Sequence, residues 1–235
     1  MNKLSPLKKI GPFDVLEIPP NPGGAYVVVF HGYGASAQDL TSLAPLLNAP
    51  PGTGWIFAQG PLKVSDGGIA GRAWFPLDVT LLDAAMREGR HIDMSGYTPE
   101  GLKRARVMAI EMIAELKIPP SKLVLMGFSQ GAMLATDLAL RMSEKVAGLG
   151  ILSGTLLNKE LWQEKAKTKV GLPFFQSHGE SDTLLGVEYA KKLEEILIGA
   201  GLKGQLHIFR GGHEVPQEIV HKLSQFLRKI LTPQN

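Results

Sequence analysis

The sequence has 235 residues, of which 44% are hydrophobic and 20% charged, and its formal net charge is +3 at neutral pH. This composition supplies enough apolar residues for a core and excludes intrinsic disorder, and the length favours a single domain over residues 1–235. The chain contains no cysteine, so disulfides, cysteine-ligated metals and thiol catalysis are excluded. Its basic residues are scattered without interleaved aromatic residues, so we expect no nucleic-acid partner.

No targeting or membrane segment is expected. Residues 1–11 are basic but lack the apolar stretch of a signal peptide. No apolar run elsewhere approaches the length that a membrane span requires. We therefore expect a cytoplasmic protein, and the sequence leaves its oligomeric state open.

The predicted elements alternate between strands and helices, which is typical of a mostly parallel sheet with helices on both faces and therefore of the α/β class. In chain order, strands are predicted over Phe13–Ile18, Ala25–Phe30, Trp55–Ala58, Leu123–Met126 and Val146–Leu152, then from Pro173 to a close at His178–Gly179, and over Leu206–Phe209. Helices are predicted from Thr98 as the cap with Pro99 at the first position, and over Ala132–Leu140, Thr183–Ala200 and Pro216–Leu231.

The stretch Gly127–Gly131 carries most of the information on function, because it reads Gly-Phe-Ser-Gln-Gly. It lies between an apolar run and a helical pattern, the setting in which G-x-S-x-G forms the nucleophile elbow of an α/β-hydrolase. Side chains two residues before or after the serine would collide with neighbouring backbone, so both positions are glycine. We expect Ser129 to be the nucleophile. Taken alone, the motif leaves open a glycine turn with an exposed serine.

The acid of a catalytic triad is expected in the loop after the strand closed by His178–Gly179. Asp182 lies in that loop, ahead of a predicted helix. This position is the carboxyl end of a strand, where open α/β sheets place their sites. Glu180, two residues earlier, stays open as the alternative acid.

The expected histidine is His213, which follows Gly211–Gly212 at the end of the last predicted strand. The resulting order of serine, acid and histidine is the order that this fold uses. The other histidines fit less well: His178 precedes the acid, His207 lies within a strand, His221 lies inside the last helix and His91 lies in a polar loop.

An acyl-transfer site also needs two N–H donors for the developing oxyanion. One is expected from Gln130, the residue after the nucleophile. The other is expected from Tyr33, in the loop His31–Ser36 after an early strand. His31 itself is interpreted as a structural residue of that loop. The alternative is an ordinary glycine-rich turn.

Residues 59–97 form a stretch too long for an ordinary connection. A long loop with aromatic residues beside a catalytic strand end is typical of a lid or pocket wall. We predict that Trp74, Phe75 and the apolar residues of this stretch up to Leu82 line an acyl groove together with Tyr33, Leu184 and Leu185. The alternative is a surface excursion with a short helix over Thr80–Glu88.

Together these motifs resemble the phospholipase/carboxylesterase family of serine esterases. The resemblance runs from about Tyr26 to Leu227 and rests on His31–Gly34, Trp74–Phe75, Gly127–Ala132, Leu152–Gly154, His178–Asp182 and Gly211–Pro216. It implies an α/β-hydrolase fold with the same triad and the same two N–H donors, and the length of the chain leaves no room for a large separate cap domain. Pro76 departs from the family, which usually has an acid directly after the Trp-Phe pair, and the segment from Leu77 to Gly96 is individual to this chain.

The expected function is that of a serine carboxylesterase that hydrolyses short- to medium-chain acyl esters or thioesters through an acyl-enzyme, without a metal or organic cofactor. Within the family, the alternatives are an acyl-protein thioesterase or a lysophospholipase. Outside it, peptidase or amidase chemistry on the same fold and a catalytically inactive binding module stay open.

Overall fold

The computed structural model describes residues 3–66 and 69–232. Its strands are β1 (Lys8–Ile10), β2 (Phe13–Ile18), β3 (Tyr26–Phe30), β4 (Gly54–Ala58), β5 (Leu62–Asp66), β6 (Ile69–Ala73), β7 (Leu123–Phe128), β8 (Gly148–Leu152), β9 (Pro173–Gly179) and β10 (Lys203–Phe209). Its α-helices are α1 (Leu43–Leu46), α2 (Val79–Arg87), α3 (Leu102–Glu115), α4 (Gln130–Arg141), α5 (Lys159–Ala166), α6 (Val187–Gly199) and α7 (Gln217–Leu231). Short 3-10 helices cover Ala37–Leu40, Pro120–Lys122 and Lys167–Lys169.

An eight-stranded sheet organises the fold, in the order β1-β2-β4-β3-β7-β8-β9-β10. The strands from β4 to β10 in this order run parallel, whereas β1 and β2 pair antiparallel at one side. Helices cover both faces, as the alternation of predicted strands and helices indicated. The α/β-hydrolase fold expected from the sequence is therefore confirmed.

The central strand β3 shows how the two faces are divided. Tyr26, Val28 and Phe30 point into the core cluster that also holds buried residues of α3, α4, α5 and α6. Val27 and Val29 point into a second cluster, with buried residues of α1 and α7. Because successive side chains of a strand face opposite sides, a strand covered on both faces becomes a continuous apolar run.

The stretch 59–97 contains more regular structure than the sequence indicated. A two-stranded hairpin of β5 and β6 precedes helix α2, which corresponds to the short helix considered over Thr80–Glu88. The hairpin contacts the loop after β3, since Gly34 N–H donates to Arg72 O (2.9 Å) and Arg72 N–H donates to Ala35 O (2.9 Å). Residues 67–68 lie outside the described residues. Across the part of the chain that the structure describes, no helix is both long and apolar enough to span a membrane.

Two predicted helix starts are wrong. The helix expected from Thr98 begins at Leu102, after Gly101 with φ 81°, and the Thr98 hydroxyl accepts a hydrogen bond from the Asn158 amide instead of capping it. The helix expected from Thr183 begins at Val187. At Thr98, the hydrogen bond with the distant Asn158 replaces the expected helix cap. At Thr183, the Asp182 carboxylate binds the following N–H groups and the helix starts later.

Candidate active site

Ser129 occupies a strained turn between β7 and α4, with φ 54° and ψ −119°. The two flanking glycines are required by close backbone approaches. A Cβ at Gly127 would lie 2.2 Å from the carbonyl carbon of Gly131, and a Cβ at Gly131 would lie 2.0 Å from the carbonyl oxygen of Phe30. These distances are shorter than any side chain tolerates, so the turn admits only glycine at both positions.

The neighbouring strand and helix fix the backbone of this turn. Ser129 N–H donates to Leu152 O at the end of β8 (2.9 Å), and Ser129 O accepts from Ala132 N–H (2.9 Å). Ser129 is therefore the residue that directly precedes the first turn of α4. The N–H groups of a first helical turn lack intrahelical partners and favour negative charge.

Asp182 and His213 form a close pair at the ends of β9 and β10. His213 Nδ1 lies 2.6 Å from Asp182 Oδ2, and the Asp182 side chain is fully buried. Burial by itself raises the pKa of Asp182, but the hydrogen bond and charge of His213, with the Leu185 N–H, outweigh it and hold the pKa below its ordinary value. The carboxylate thus stays ionised and faces the imidazole.

The loop after Asp182 is shaped by the same carboxylate. Asp182 Oδ1 accepts hydrogen bonds from the N–H groups of Leu184 (2.9 Å) and Leu185 (3.0 Å). These bonds hold residues 183–185 in a turn and delay the start of α6. Glu180, the alternative acid, has an exposed side chain, and its backbone N–H donates to Phe209 O (2.8 Å).

His178, the main alternative to His213 as the catalytic histidine, is fully buried next to Asp182. Its Nε2 donates to Leu185 O at 2.7 Å and lies 3.4 Å from Asp182 Oδ2. Burial lowers the pKa of His178, which keeps the imidazole neutral. It therefore holds the loop after Asp182 through Leu185 and does not line the cavity beside Ser129.

Ser129 and His213 line the same cavity, of about 1010 Å³. The ring of Phe128, the residue before Ser129, packs against the His213 imidazole with a centroid distance of 4.8 Å. The hydrogen bond expected between the Ser129 hydroxyl and a His213 ring nitrogen stays a prediction.

The loop that carries Tyr33 is held by the ring of His31. His31 Nε2 accepts from Gly60 N–H (2.9 Å), so the proton resides on Nδ1, which donates to Gly32 O (2.7 Å). Burial lowers the pKa of His31 and so favours this neutral form. The structural role expected for His31 fits these contacts, and Tyr33 lines the cavity next to Ser129.

Gln130 contributes a buried side chain as well as a backbone N–H. Its Oε1 accepts from Trp74 N–H (2.9 Å) and its Nε2 donates to Phe75 O (2.7 Å). The Trp74 indole in turn donates to His31 O (2.7 Å). One chain of hydrogen bonds thus connects the first residue of α4 with the loop that carries Tyr33.

The prediction that Trp74 and Phe75 line an acyl groove is wrong. Both are buried in the core, with exposed fractions of 2% and 0%, and the Trp74 ring packs edge-on against Phe13 and Phe30. The other predicted lining residues Tyr33, Leu184 and Leu185 do line the cavity. Among the apolar residues up to Leu82, Leu77, Val79 and Leu82 line it, whereas Leu81 does not. The wall from the 59–97 stretch is completed by Asp78, Thr80, Asp83, Met86, Arg87 and Met94.

Several cavity residues were missed from the sequence. Met133 lines the cavity because it lies four residues, one helical turn, after Ser129, a spacing that could have identified it. Met94 follows α2 in a segment without a recognisable pattern, and no sequence signal indicated it. Within the described ranges, no three histidine, aspartate or glutamate side chains converge in a way that could hold a metal ion.

Comparison with known proteins gives one family. The model of the phospholipase/carboxylesterase family matches residues 14–231. Acyl-protein thioesterase 1 of Kluyveromyces lactis is 31% identical over 221 residues, which cover 89% of this chain and 93% of that protein. Acyl-protein thioesterase 1 of Candida albicans is 25% identical over 232 residues, covering 92% and 97%.

Solved structures show the same architecture. The crystal structure of esterase PE8 is 28% identical, has a TM-score of 0.74 and covers 97% of this chain and 100% of that one. A carboxylesterase from Mesorhizobium loti has a TM-score of 0.72 at 17% identity, covering 95% and 98%, and this likeness concerns the fold alone.

Proposed function

The chain belongs to the phospholipase/carboxylesterase family and is a serine hydrolase of carboxylic esters, and we propose that it acts as a single-domain enzyme on short- to medium-chain acyl esters through an acyl-enzyme. The observation that carries the proposal is the 2.6 Å contact between His213 Nδ1 and the buried Asp182 carboxylate, beside the cavity that holds Ser129. An imidazole with its Nδ1 proton held by a carboxylate presents Nε2 as a base.

The proposed mechanism uses these groups in turn. His213 Nε2 takes the proton of Ser129, and the serine oxygen attacks the acyl carbonyl carbon. The N–H groups of Tyr33 and Gln130 stabilise the oxyanion that forms, and Asp182 stabilises the imidazolium. The imidazolium then protonates the leaving alcohol. Water, activated by His213 in the same way, releases the acid from the acyl-enzyme.

The chemistry of the cavity wall supports an apolar acyl group of limited length. On α2, Leu82 and Met86 are four residues apart and share one face, while Asp83 and Arg87 form the adjacent row and bind each other at 2.8 Å. An acyl chain gains about 0.8 kcal/mol for each methylene that it buries against the apolar row. Because the charged pair lines the same cavity and limits its apolar surface, we propose that medium chains are preferred to long ones.

A thioesterase activity is the second candidate. It is favoured by the relative from Kluyveromyces lactis, which is named acyl-protein thioesterase 1 and covers most of this chain. The same acyl-enzyme serves both reactions, since a thiolate leaves with less need for protonation than an alkoxide. Lysophospholipid hydrolysis is the further alternative within the family.

One experiment tests the site and another tests the substrate. A fluorophosphonate probe is expected to label Ser129, and peptide mapping of an adduct on any other residue would refute the assignment. p-Nitrophenyl esters of graded chain length, run beside acyl thioesters and lysophospholipids, are expected to give the highest kcat/KM at medium chain length. A maximum on long-chain lysophospholipids would refute the substrate proposal while leaving the site intact.

A further inference from the structure

His91 lies in the segment after α2 and contacts the loop of the proposed catalytic acid. Its Nε2 lies 2.9 Å from the carbonyl oxygen of Asp182, and its Nδ1 lies 3.3 Å from Glu188 Oε1. A carbonyl oxygen only accepts, so Nε2 carries a proton and donates it to Asp182 O. The side chain is 26% exposed, so the contact is shielded from water on most sides.

The two chain segments that His91 joins both line the cavity. One is the cavity wall, defined as residues 77–94, which includes α2 and Met94. The other is the acid loop, defined as residues 182–185, whose Leu184 and Leu185 also line the cavity. A hydrogen bond between these segments fixes the width of the space between them.

Apart from His91, the cavity wall is attached mainly by apolar packing, since Met94 is buried in the core and Leu77, Leu82 and Ile92 pack against it. Of the nine residues of α2, only Ala85 is buried. The next backbone contacts follow the wall, where Lys159 N–H donates to Ser95 O (2.7 Å) and Asn158 N–H donates to Tyr97 O (3.2 Å). Those bonds join the chain to the start of α5. The polar contact between the wall and the acid loop is the one made by His91, beside the apolar packing of the wall on the core.

We infer that His91 is a positioning residue that holds the cavity wall against the acid loop and thereby sets the preference for acyl chain length. This inference rests on the proposed function, because it takes the cavity as the acyl site. An acyl chain of eight carbons needs contact with both segments, whereas an acetyl group needs only the immediate surroundings of Ser129. Loss of the hydrogen bond therefore affects octanoate more than acetate.

The test compares His91→Ala and His91→Gln on p-nitrophenyl octanoate and acetate. For His91→Ala we expect the ratio of kcat/KM for octanoate over acetate to fall about fivefold, mainly through a higher KM for octanoate, the size that one net hydrogen bond supports. The Gln amide N–H reaches about as far as Nε2, so His91→Gln is expected to recover most of the ratio. Glu188→Gln removes the neighbouring charge but keeps the bond to Asp182 O, and is expected to leave the ratio unchanged.

The ratio separates a positioning role from a loss of folded protein, because a smaller active fraction lowers both substrates equally. An unchanged ratio in His91→Ala, or equal ratios for the Ala and Gln variants, would overturn the inference. So would a fall in kcat alone that is equal for both esters. Each of these results leaves acetate hydrolysis by Ser129 measurable, so the proposed function is judged separately, by the fluorophosphonate adduct.

Discussion

The indole N–H of Trp74 donates a hydrogen bond to the carbonyl oxygen of His31 at 2.7 Å, and through it the core holds the loop that carries Tyr33. Trp74→Ala removes this bond and leaves a large cavity, so we expect the free energy of unfolding to fall by about 3–5 kcal/mol. Trp74→Phe keeps much of the packing but not the bond, and is expected to lower kcat with less effect on stability. Urea unfolding measures the change in stability, and ester kinetics measure the change in kcat. A changed preference for acyl chain length at constant kcat would show instead that Trp74 contacts the acyl chain.

Ser129→Ala removes the proposed nucleophile. We expect kcat for p-nitrophenyl esters to fall roughly 10⁴- to 10⁶-fold, since no other group can form the acyl-enzyme. Ser143→Ala provides the matched control, because Ser143 is exposed after α4 and distant from the cavity. Retention of more than a few per cent of the activity in Ser129→Ala would show that another residue is the nucleophile.

Asp182→Asn and Glu180→Gln compare the two acids that the sequence leaves open. Asp182→Asn keeps the shape of the side chain but loses the charge that holds the His213 Nδ1 proton, so kcat is expected to fall about 10⁴-fold. Glu180 has an exposed side chain, and its substitution is expected to change kcat less than about twofold. Steady-state kinetics measure kcat for both variants. A larger fall in kcat for Glu180→Gln than for Asp182→Asn would contradict the assignment of Asp182 as the acid.

Leu82→Ala and Leu81→Ala compare neighbouring leucines of α2 that differ in position. Leu82 lines the cavity, whereas Leu81 is 47% exposed. Leu82 is half-buried, so its truncation removes the equivalent of about one to two buried methylenes, and kcat/KM for octanoate is expected to fall roughly tenfold relative to acetate. We expect no change in this ratio for Leu81→Ala, and equal effects of the two substitutions would argue against α2 as the acyl wall.

The lowered pKa values of three histidines predict how the free energy of unfolding depends on pH. Burial lowers the pKa of His31, His178 and His207 in the folded state. Below the unfolded pKa of about 6.5 the unfolded chain binds protons that the folded chain does not, so the free energy of unfolding falls as the pH is lowered from 7.5 to 5. The lowered pKa of Asp182 acts separately: its contribution is present above about pH 3.9 and is lost as the pH falls further.

His178→Gln tests this dependence, since glutamine keeps an N–H for Leu185 O but does not titrate. Its free energy of unfolding is expected to change less between pH 7.5 and 5 than that of the parent, measured by urea unfolding. His221→Gln, at an exposed position of α7, serves as the control. A parent whose stability does not fall over this range would refute the prediction.

The strands and the loops of the site could be predicted because their signals are local. Alternating and continuous apolar runs identify strands, and β2 begins and ends where the sequence indicated, at Phe13 and Ile18. Ser129, Asp182 and His213 each follow such a run, and the elbow has glycines because a Cβ there would lie 2.0–2.2 Å from neighbouring backbone atoms. The sheet then brings the three loops together because they all leave its carboxyl edge.

The features that could not be predicted depend on distant contacts. Thr98 has the sequence of a helix cap, yet its hydroxyl is taken by Asn158, sixty residues away. Trp74 is aromatic and precedes the cavity wall, but only the fold shows that its ring lies between Phe13 and Phe30. His91 has no local pattern at all, and its role follows from its distance to Asp182 O.

Pro76 marks a sharp division of labour along the chain. Trp74 and Phe75, directly before it, are buried in the core, whereas Leu77, Val79 and Leu82, after it, line the cavity. Substitutions at Trp74 and Phe75 are therefore expected to lower the stability of the fold. Substitutions at the cavity-lining residues after Pro76 are expected to alter the substrate range. We expect substitutions at the cavity-facing positions between Leu77 and Arg87 to change the substrate range without altering Ser129, Asp182 or His213, so the chemistry and the choice of substrate are encoded by separate stretches of the chain.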